Sequence, residues 1–198
     1  QHLPLFDDAG RLAALVTLND LIPDQPRPLR AVIMAGGFGS RLRPLTEDLP
    51  KPMLPVGGRP LLERTVARLR DAGVRHVSMS TFFKAEKVVA HFKDGSEFGI
   101  ALDYVSEDRP LGTAGALTRM QPPTEPLLVI NGDILTSVDF RAMHEFHREH
   151  DAVLTVAVRK YDFSVPFGVI ECDGVNVRSL VEKPTYSSFV NAGIYLLE

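Results

Sequence analysis

The stretch that most constrains this chain is an apolar run, Leu29 to Ala35, followed without a break by Gly36-Gly37-Phe38-Gly39-Ser40-Arg41-Leu42-Arg43-Pro44-Leu45-Thr46. A short, nearly continuous apolar run is the pattern of a strand buried on both faces of a parallel sheet. Three glycines in the four positions 36 to 39 permit positive φ and close backbone approach, so N–H groups can curl around an anion. In an open α/β sheet such a loop lies at the carboxyl edge of the strands, where ligands bind. Two familiar loops are excluded. A P-loop needs Lys after its last glycine, and a dinucleotide-binding G-x-G-x-x-G needs Gly where Leu42 stands. A turn that merely connects would have no use for Arg41, whose guanidinium beside exposed N–H groups is a phosphate fork. The segment reads as a phosphate-binding loop.

Apolar β-type runs then alternate with helical spacing. Strands are expected at 74–80, 101–105, 126–130 and 153–158, and helices at 60–72, 85–92, 114–120 and 140–150. Leu62, Val66 and Leu69 fall on one face of the first helix, with Gly73 as its stop. This alternation implies an α/β fold with a doubly wound, mostly parallel, Rossmann-like sheet. The rhythm changes after Arg159. Residues 168–172 and 175–181 around Asp173-Gly174 read as a hairpin with a type I′ turn, an antiparallel β excursion suited to the wall of a pocket.

Composition narrows the partners. The 198 residues carry 22 Lys+Arg against 25 Asp+Glu, a formal charge of −3, which is no basic footprint for nucleic acid. No apolar run approaches the roughly 20 residues of a membrane helix. No secretory signal precedes the domain, so a cytoplasmic setting is expected. One cysteine, Cys172, excludes an internal disulfide and a multi-cysteine zinc site; it reads as a half-buried strand thiol. His144, His147 and His150 lie three apart, not at the four-residue H-E-x-x-H spacing, and read as a solvated helix face rather than a metal site.

The ends differ from the middle. Residues 22–28, with three prolines, form a stiff connector that divides residues 1–22 from a main domain at 29–198. The first piece reads as strand, turn at Asp7 to Gly10, and strand to Leu18, with Asn19 capping a short helix. It resembles the closing segment of a CBS domain, a module whose pairs bind adenine nucleotides; half a module is not credited with that binding. The start at Gln1 and the stop within Ile194-Tyr195-Leu196-Leu197 suggest a fragment.

A second cation source follows the glycine loop: Pro50-Lys51-Pro52-Met53-Leu54, where flanking prolines hold the backbone around Lys51. Together with the loop, with residues 108–115, Asn131-Gly132-Asp133, Glu182-Lys183-Pro184 and Asn191-Ala192-Gly193, this closely resembles the ordered motifs of sugar-phosphate nucleotidyltransferases. The likeness covers residues 29 to 198. It implies a Mg²⁺-dependent condensation of an NTP, GTP being favoured, with a hexose or amino-hexose 1-phosphate to an NDP-sugar and pyrophosphate. The alternative is a non-catalytic sensor of nucleotide or sugar phosphate on the same fold.

By resemblance, Arg41, Lys51 and Lys183 carry catalysis. Ala35, Gly36, Gly37, Gly39, Ser40, Arg41, Lys51, Gly112 and Thr113 hold the nucleotide. Gly115, Glu182, Lys183, Asn191 and Gly193 hold the sugar phosphate, and Asp133 is the metal ligand. The family's second metal-binding aspartate is expected downstream of residue 198. A sugar phosphate with a second pKa of about 6 is mostly dianionic at neutral pH, so it attacks without a general base. That fits the lack of any Ser/His/Asp constellation. An oligomer is compatible with this reading.

Overall fold

The computed structural model describes residues 2–7, 9–17, 29–109, 111–112 and 114–198. The expected helix after Asn19, the proline connector at 22–28 and Thr113 lie outside the described residues. β1 (His2–Phe6) and β2 (Leu12–Thr17) pair antiparallel. Their turn is held by the Asp7 carboxylate, which accepts from the N–H groups of Ala9 and Arg11 at 3.0 and 2.9 Å.

The main domain follows in the expected order. β3 (Arg30–Met34) leads into the glycine loop and a 3₁₀ turn at Ser40–Leu42. A second 3₁₀ turn, Lys51–Met53, precedes the two-residue strands β4 (Pro55–Val56) and β5 (Arg59–Pro60). Helix α1 (Leu61–Asp71) buries Leu62, Val66 and Leu69. It ends in a Schellman motif, with Gly73 N–H on the Arg70 carbonyl and Val74 N–H on the Leu69 carbonyl. β6 (His76–Thr81), α2 (Ala85–Phe92) and β7 (Ala101–Ser106) come next. A 3₁₀ turn at Gly115–Arg119 stands where a short helix was expected, before β8 (Leu127–Asn131) and α3 (Phe140–Glu149).

β9 (Leu154–Ser164), β10 (Val169–Asp173), β11 (Asn176–Val181) and β12 (Thr185–Leu197) complete the chain. The six-stranded sheet has the order β7-β6-β3-β8-β12-β9. β7, β6, β3 and β8 are mutually parallel, while β12 runs antiparallel to both β8 and β9. The sheet is α/β and mostly parallel, as the alternation implies.

Its two faces are covered unequally. Ala31, Ile33, Val77, Met79, Leu128, Ile130, Ile194 and Leu196 form one cluster with buried residues of all three helices. On the opposite face Val32, Leu127 and Val129 pack with Leu117 and Met120 of the 3₁₀ segment.

Besides that 3₁₀ turn, the structure differs from expectation in four places. The excursion is indeed an antiparallel hairpin, β10 with β11, but Asp173 pairs with Asn176, so its turn is Gly174-Val175. Only Gly174 has positive φ there, and a type I′ turn needs it at both central residues. Cys172 is exposed rather than half-buried. His144 and His147 are buried rather than solvated, because 140, 143, 144 and 147 make one inward stripe of α3. His147 bonds Thr155 Oγ1 at 2.7 Å and Glu198 Oε1 at 3.1 Å. Finally, β9 and β12 extend well beyond their apolar runs as a long antiparallel pair. Within it residues 192–194 of β12 face residue 157 of β9 alone, which makes a bulge.

Candidate active site

Four parallel strands end on the same edge, and the loops leaving them meet there. The β3 loop brings the glycines and Arg41, and the β7 loop brings Glu107 and Gly112. The β8 loop brings Asp133, and Lys51 enters on its own 3₁₀ turn. Together they line a cavity of about 450 Å³. Of the residues named from sequence, Ala35, Gly36, Gly37, Gly39, Ser40, Arg41, Lys51, Gly112 and Asp133 line it.

Local packing explains the loop. Gly39 lies at φ 61, and a Cβ there would come within 2.9 Å of the Thr46 methyl and 3.0 Å of Lys51 Cβ. Thr46 Oγ1 donates to the Gly39 carbonyl at 2.9 Å, which ties the loop to the segment leading to Lys51. Gly132 N–H donates to the Met34 carbonyl at 2.8 Å, and a Cβ on it would lie 2.9 Å from that oxygen. The close approach of the two strand ends sets Asp133 beside the glycine loop. Its carboxylate accepts from Lys51 Nζ, an ion pair with both side chains partly open to solvent. Lysine and aspartate, 82 residues apart in sequence, thus neutralise each other in the cavity.

The loop after β7 is fastened by two carboxylates. Glu107 is buried; it accepts from Ser80 Oγ and, at 3.0 Å, from Leu111 N–H. Asp108 pairs with Arg119, whose hydrogen bond holds the Asp108 carboxyl below the ordinary carboxylate range. Gly115 starts the 3₁₀ turn beyond this loop, and a Cβ on it would overlap Leu111 Cβ at 2.3 Å.

The remaining sugar-phosphate candidates do not line the cavity. Glu182 and Lys183 are exposed between β11 and β12, 3.9 Å apart. Asn191 donates to the Tyr195 hydroxyl at 2.6 Å and accepts from Gly193 N–H at 2.8 Å. A Cβ on Gly193 would lie 2.6 Å from Asn131 Nδ2, and Asn131 is part of the cavity wall, so the β12 bulge abuts the site from behind. Sequence reasoning passed over Glu107, Ser80, Asn131 and Phe38, all of which line the cavity. For Glu107 a signal existed: a carboxylate directly after an apolar strand, just ahead of a glycine-bearing loop.

No group of three or more His, Cys, Asp or Glu suited to a metal occurs among the described residues. Asp133 at the cavity wall is nonetheless the donor set Mg²⁺ uses with phosphorylated substrates: one or two carboxylates, the other positions going to phosphate oxygens and water.

The structure thus sets a glycine loop, two cations and a carboxylate at the carboxyl edge of a parallel sheet, the edge at which open α/β sheets carry their ligands. The chain belongs to the nucleotidyl transferase family, whose profile matches residues 30–198. It is 37% identical over 175 residues to a mannose-1-phosphate guanylyltransferase of Mycobacterium tuberculosis, across 85% of this chain and 48% of the relative. It is 35% identical over 176 residues to a mannose-1-phosphate guanylyltransferase catalytic subunit beta of Drosophila pseudoobscura, across 84% and 47%. The chain spans about half the length of the curated relatives it matches. Among solved structures, a Bacillus anthracis protein assigned provisionally as a glucose-1-phosphate thymidylyltransferase superposes with a TM-score of 0.68 at 30% identity, over 86% of this chain and 71% of that one. HddC of Yersinia pseudotuberculosis, solved in complex with GMP-PN, gives 0.63 at 30%, over 85% and 76%.

Proposed function

We propose that this chain carries the nucleotide-binding half-site of an enzyme that condenses an NTP, GTP being favoured, with a hexose or amino-hexose 1-phosphate. The observation that carries the reading is the Lys51–Asp133 ion pair, set in one cavity with Arg41 and the glycine loop. Arg41 and Lys51 take the triphosphate oxygens and steady the departing pyrophosphate. When nucleotide arrives, Lys51 exchanges its bond to Asp133 for phosphate, which frees that carboxylate. A bound Mg²⁺ would sit at Asp133 and neutralise phosphate charge. Lys183 and Glu182 meet the sugar phosphate from the β11–β12 turn, with Asn191, Gly193 and Gly115 serving the sugar phosphate as well, and Gly112 and Thr113 serving the nucleotide.

The bonding change is a single exchange. A phosphate oxygen of the sugar phosphate bonds the α-phosphorus as the bond to the bridging oxygen of pyrophosphate breaks. The dianionic nucleophile has no proton to lose, so positioning and charge neutralisation suffice. The guanylyltransferase relatives and the neighbour solved with GMP-PN favour guanine as the base. Substrates of this kind suit a cytoplasmic setting; no helix among the described residues is long and apolar enough to cross a membrane. The hairpin of β1 and β2 lies ahead of the family match, and its assignment to the end of a CBS-type module rests on sequence resemblance.

The test is pyrophosphate release by the intact protein across GTP, ATP, UTP, CTP and TTP, each with mannose, glucose and amino-hexose 1-phosphates. GTP is expected to give the highest kcat/KM. Nucleotide binding with no pyrophosphate from any pair would favour the sensor reading instead.

A further inference from the structure

Phe38 stands between Gly37 and Gly39 in the phosphate-binding loop, lines the cavity and is 47% exposed. Large aromatic side chains at such a degree of exposure are ordinary on a surface. This one is held in place, edge-to-face on Phe82 at 5.3 Å and tilted against Phe83 at 5.7 Å between ring centroids. The second ring is itself held, with Lys84 Nζ 5.6 Å over its centroid. One part of the Phe38 ring thus rests on an aromatic pair, and the rest stays open at the cavity.

Its place along the loop says which part of a nucleotide it meets. The loop has two ends. Gly39 packs on Thr46 and Lys51, the cation end. A Cβ on Gly36 would meet Glu107 Oε1 at 3.1 Å and Phe82 Cβ at 3.3 Å, which marks the opposite end, remote in the loop from Lys51. Phe38 leans on Phe82 and so belongs to the Glu107 end. With a triphosphate at Arg41 and Lys51, the base falls at that end.

We infer that the open part of the Phe38 ring is a stacking platform for the nucleobase. Stacking on an aromatic face adds affinity with little regard to which base it is, because every base has a π face. The two neighbouring rings restrict the rotamers of Phe38 before any ligand arrives, so less freedom is lost on stacking. Recognition of the base edge then falls to polar groups such as the buried Glu107 carboxylate, so affinity and choice of base are carried by different residues. The inference rests on the nucleotide reading proposed above.

The chain has no Trp, so Phe38→Trp in the intact protein places a reporter at the ring, read as the difference from the parent protein. Guanosine monophosphate is expected to quench its emission saturably, while pyrophosphate alone is not. Phe38→Leu keeps an apolar anchor on Phe82 and Phe83 but loses the platform. It is expected to raise the KM for GTP about tenfold (about 1.4 kcal/mol), and the KM for ATP or ITP, where used, by a similar factor, with kcat within about twofold. Quenching by pyrophosphate as strong as by the nucleotide would overturn the inference, since it would report loop movement rather than stacking. So would an unchanged KM in the Leu variant. Failure of the proposed reaction is seen separately, as no pyrophosphate from the parent protein, and leaves the nucleotide quench of the Trp variant to decide the platform.

Discussion

At the scale of single residues, Asp133 and Lys51 show how two charges are kept together at the wall of a cavity. Two opposite charges satisfy each other across the cavity, and each is half-open to solvent, so neither is stranded. Asp133→Ala leaves Lys51 unopposed. Pyrophosphate release is then expected to fall by roughly two to three orders of magnitude, the usual cost of losing one aimed electrostatic group. The KM for nucleotide should hold or fall, because Lys51 no longer has to leave a carboxylate. Steady-state kinetics at varied Mg²⁺ checks both parts. Retained turnover would remove Asp133 from the metal's coordination, and a large rise in KM would mean that the ion pair does not compete with phosphate.

Among elements, α3 shows both what was legible and what was hidden. Its bounds, 140 to 149, match the expected 140–150 almost to the residue, and the structure adds the cap that starts it, Asp139. The Asp139 carboxylate accepts from Arg141 N–H at 2.9 Å and Ala142 N–H at 3.1 Å. Asp139→Ala is expected to cost about 1 kcal/mol of stability, the size of a lost N-cap, while Asp139→Asn keeps most of it. Equilibrium denaturation of the two variants measures the difference, and equal losses would deny the cap its role.

On the same helix His150 is exposed, as its solvated reading expects, whereas His144 and His147 are buried by their position. Their i, i+3, i+4, i+7 spacing with Phe140 and Met143 is an apolar stripe, and imidazole fills it when a partner such as Thr155 is present. Central strands such as β3 and β8 were readable because burial on both faces makes them continuously apolar. The inner part of β9 was readable too; the outer halves of β9 and β12 were not, since they pair with each other in the open, where backbone hydrogen bonding rather than an apolar run defines the strand. The cavity was legible where glycines and lysine sit in motifs. Glu107 offered only its place after an apolar strand, and its burial against Ser80, 27 residues away on β6, shows only once the strands pair.

For the molecule as a whole, the unequal cover of the central sheet decides where stability resides. Leu128 on β8 is 1% exposed and packs on the helix side, in the cluster shared by α1, α2 and α3. Val156 on β9, paired across β12 with Tyr195, is 37% exposed. Leu128→Ala removes buried methyl groups from a site that three helices close over, so little collapse can fill the space. About 2 to 5 kcal/mol is expected to be lost. For a domain of this size that lowers the Tm by roughly 2 to 4 °C for each kcal/mol. Val156→Thr exchanges a methyl for a hydroxyl where water already reaches, and roughly 0.5 kcal/mol or less is expected. Denaturant titration of both variants in the intact protein makes the comparison, with the slope checked so that a change in midpoint reflects stability alone. The candidate site follows the same division: Asp133 leaves the C-terminal end of the strand that holds Leu128, so loosening the helix-side cluster should also widen the gap between Asp133 and the glycine loop and lower the kcat of the proposed reaction before the protein unfolds. A loss at Val156 as large as at Leu128 would mean that the second face is covered in the protein in solution, and that stability does not rest on one side of the sheet.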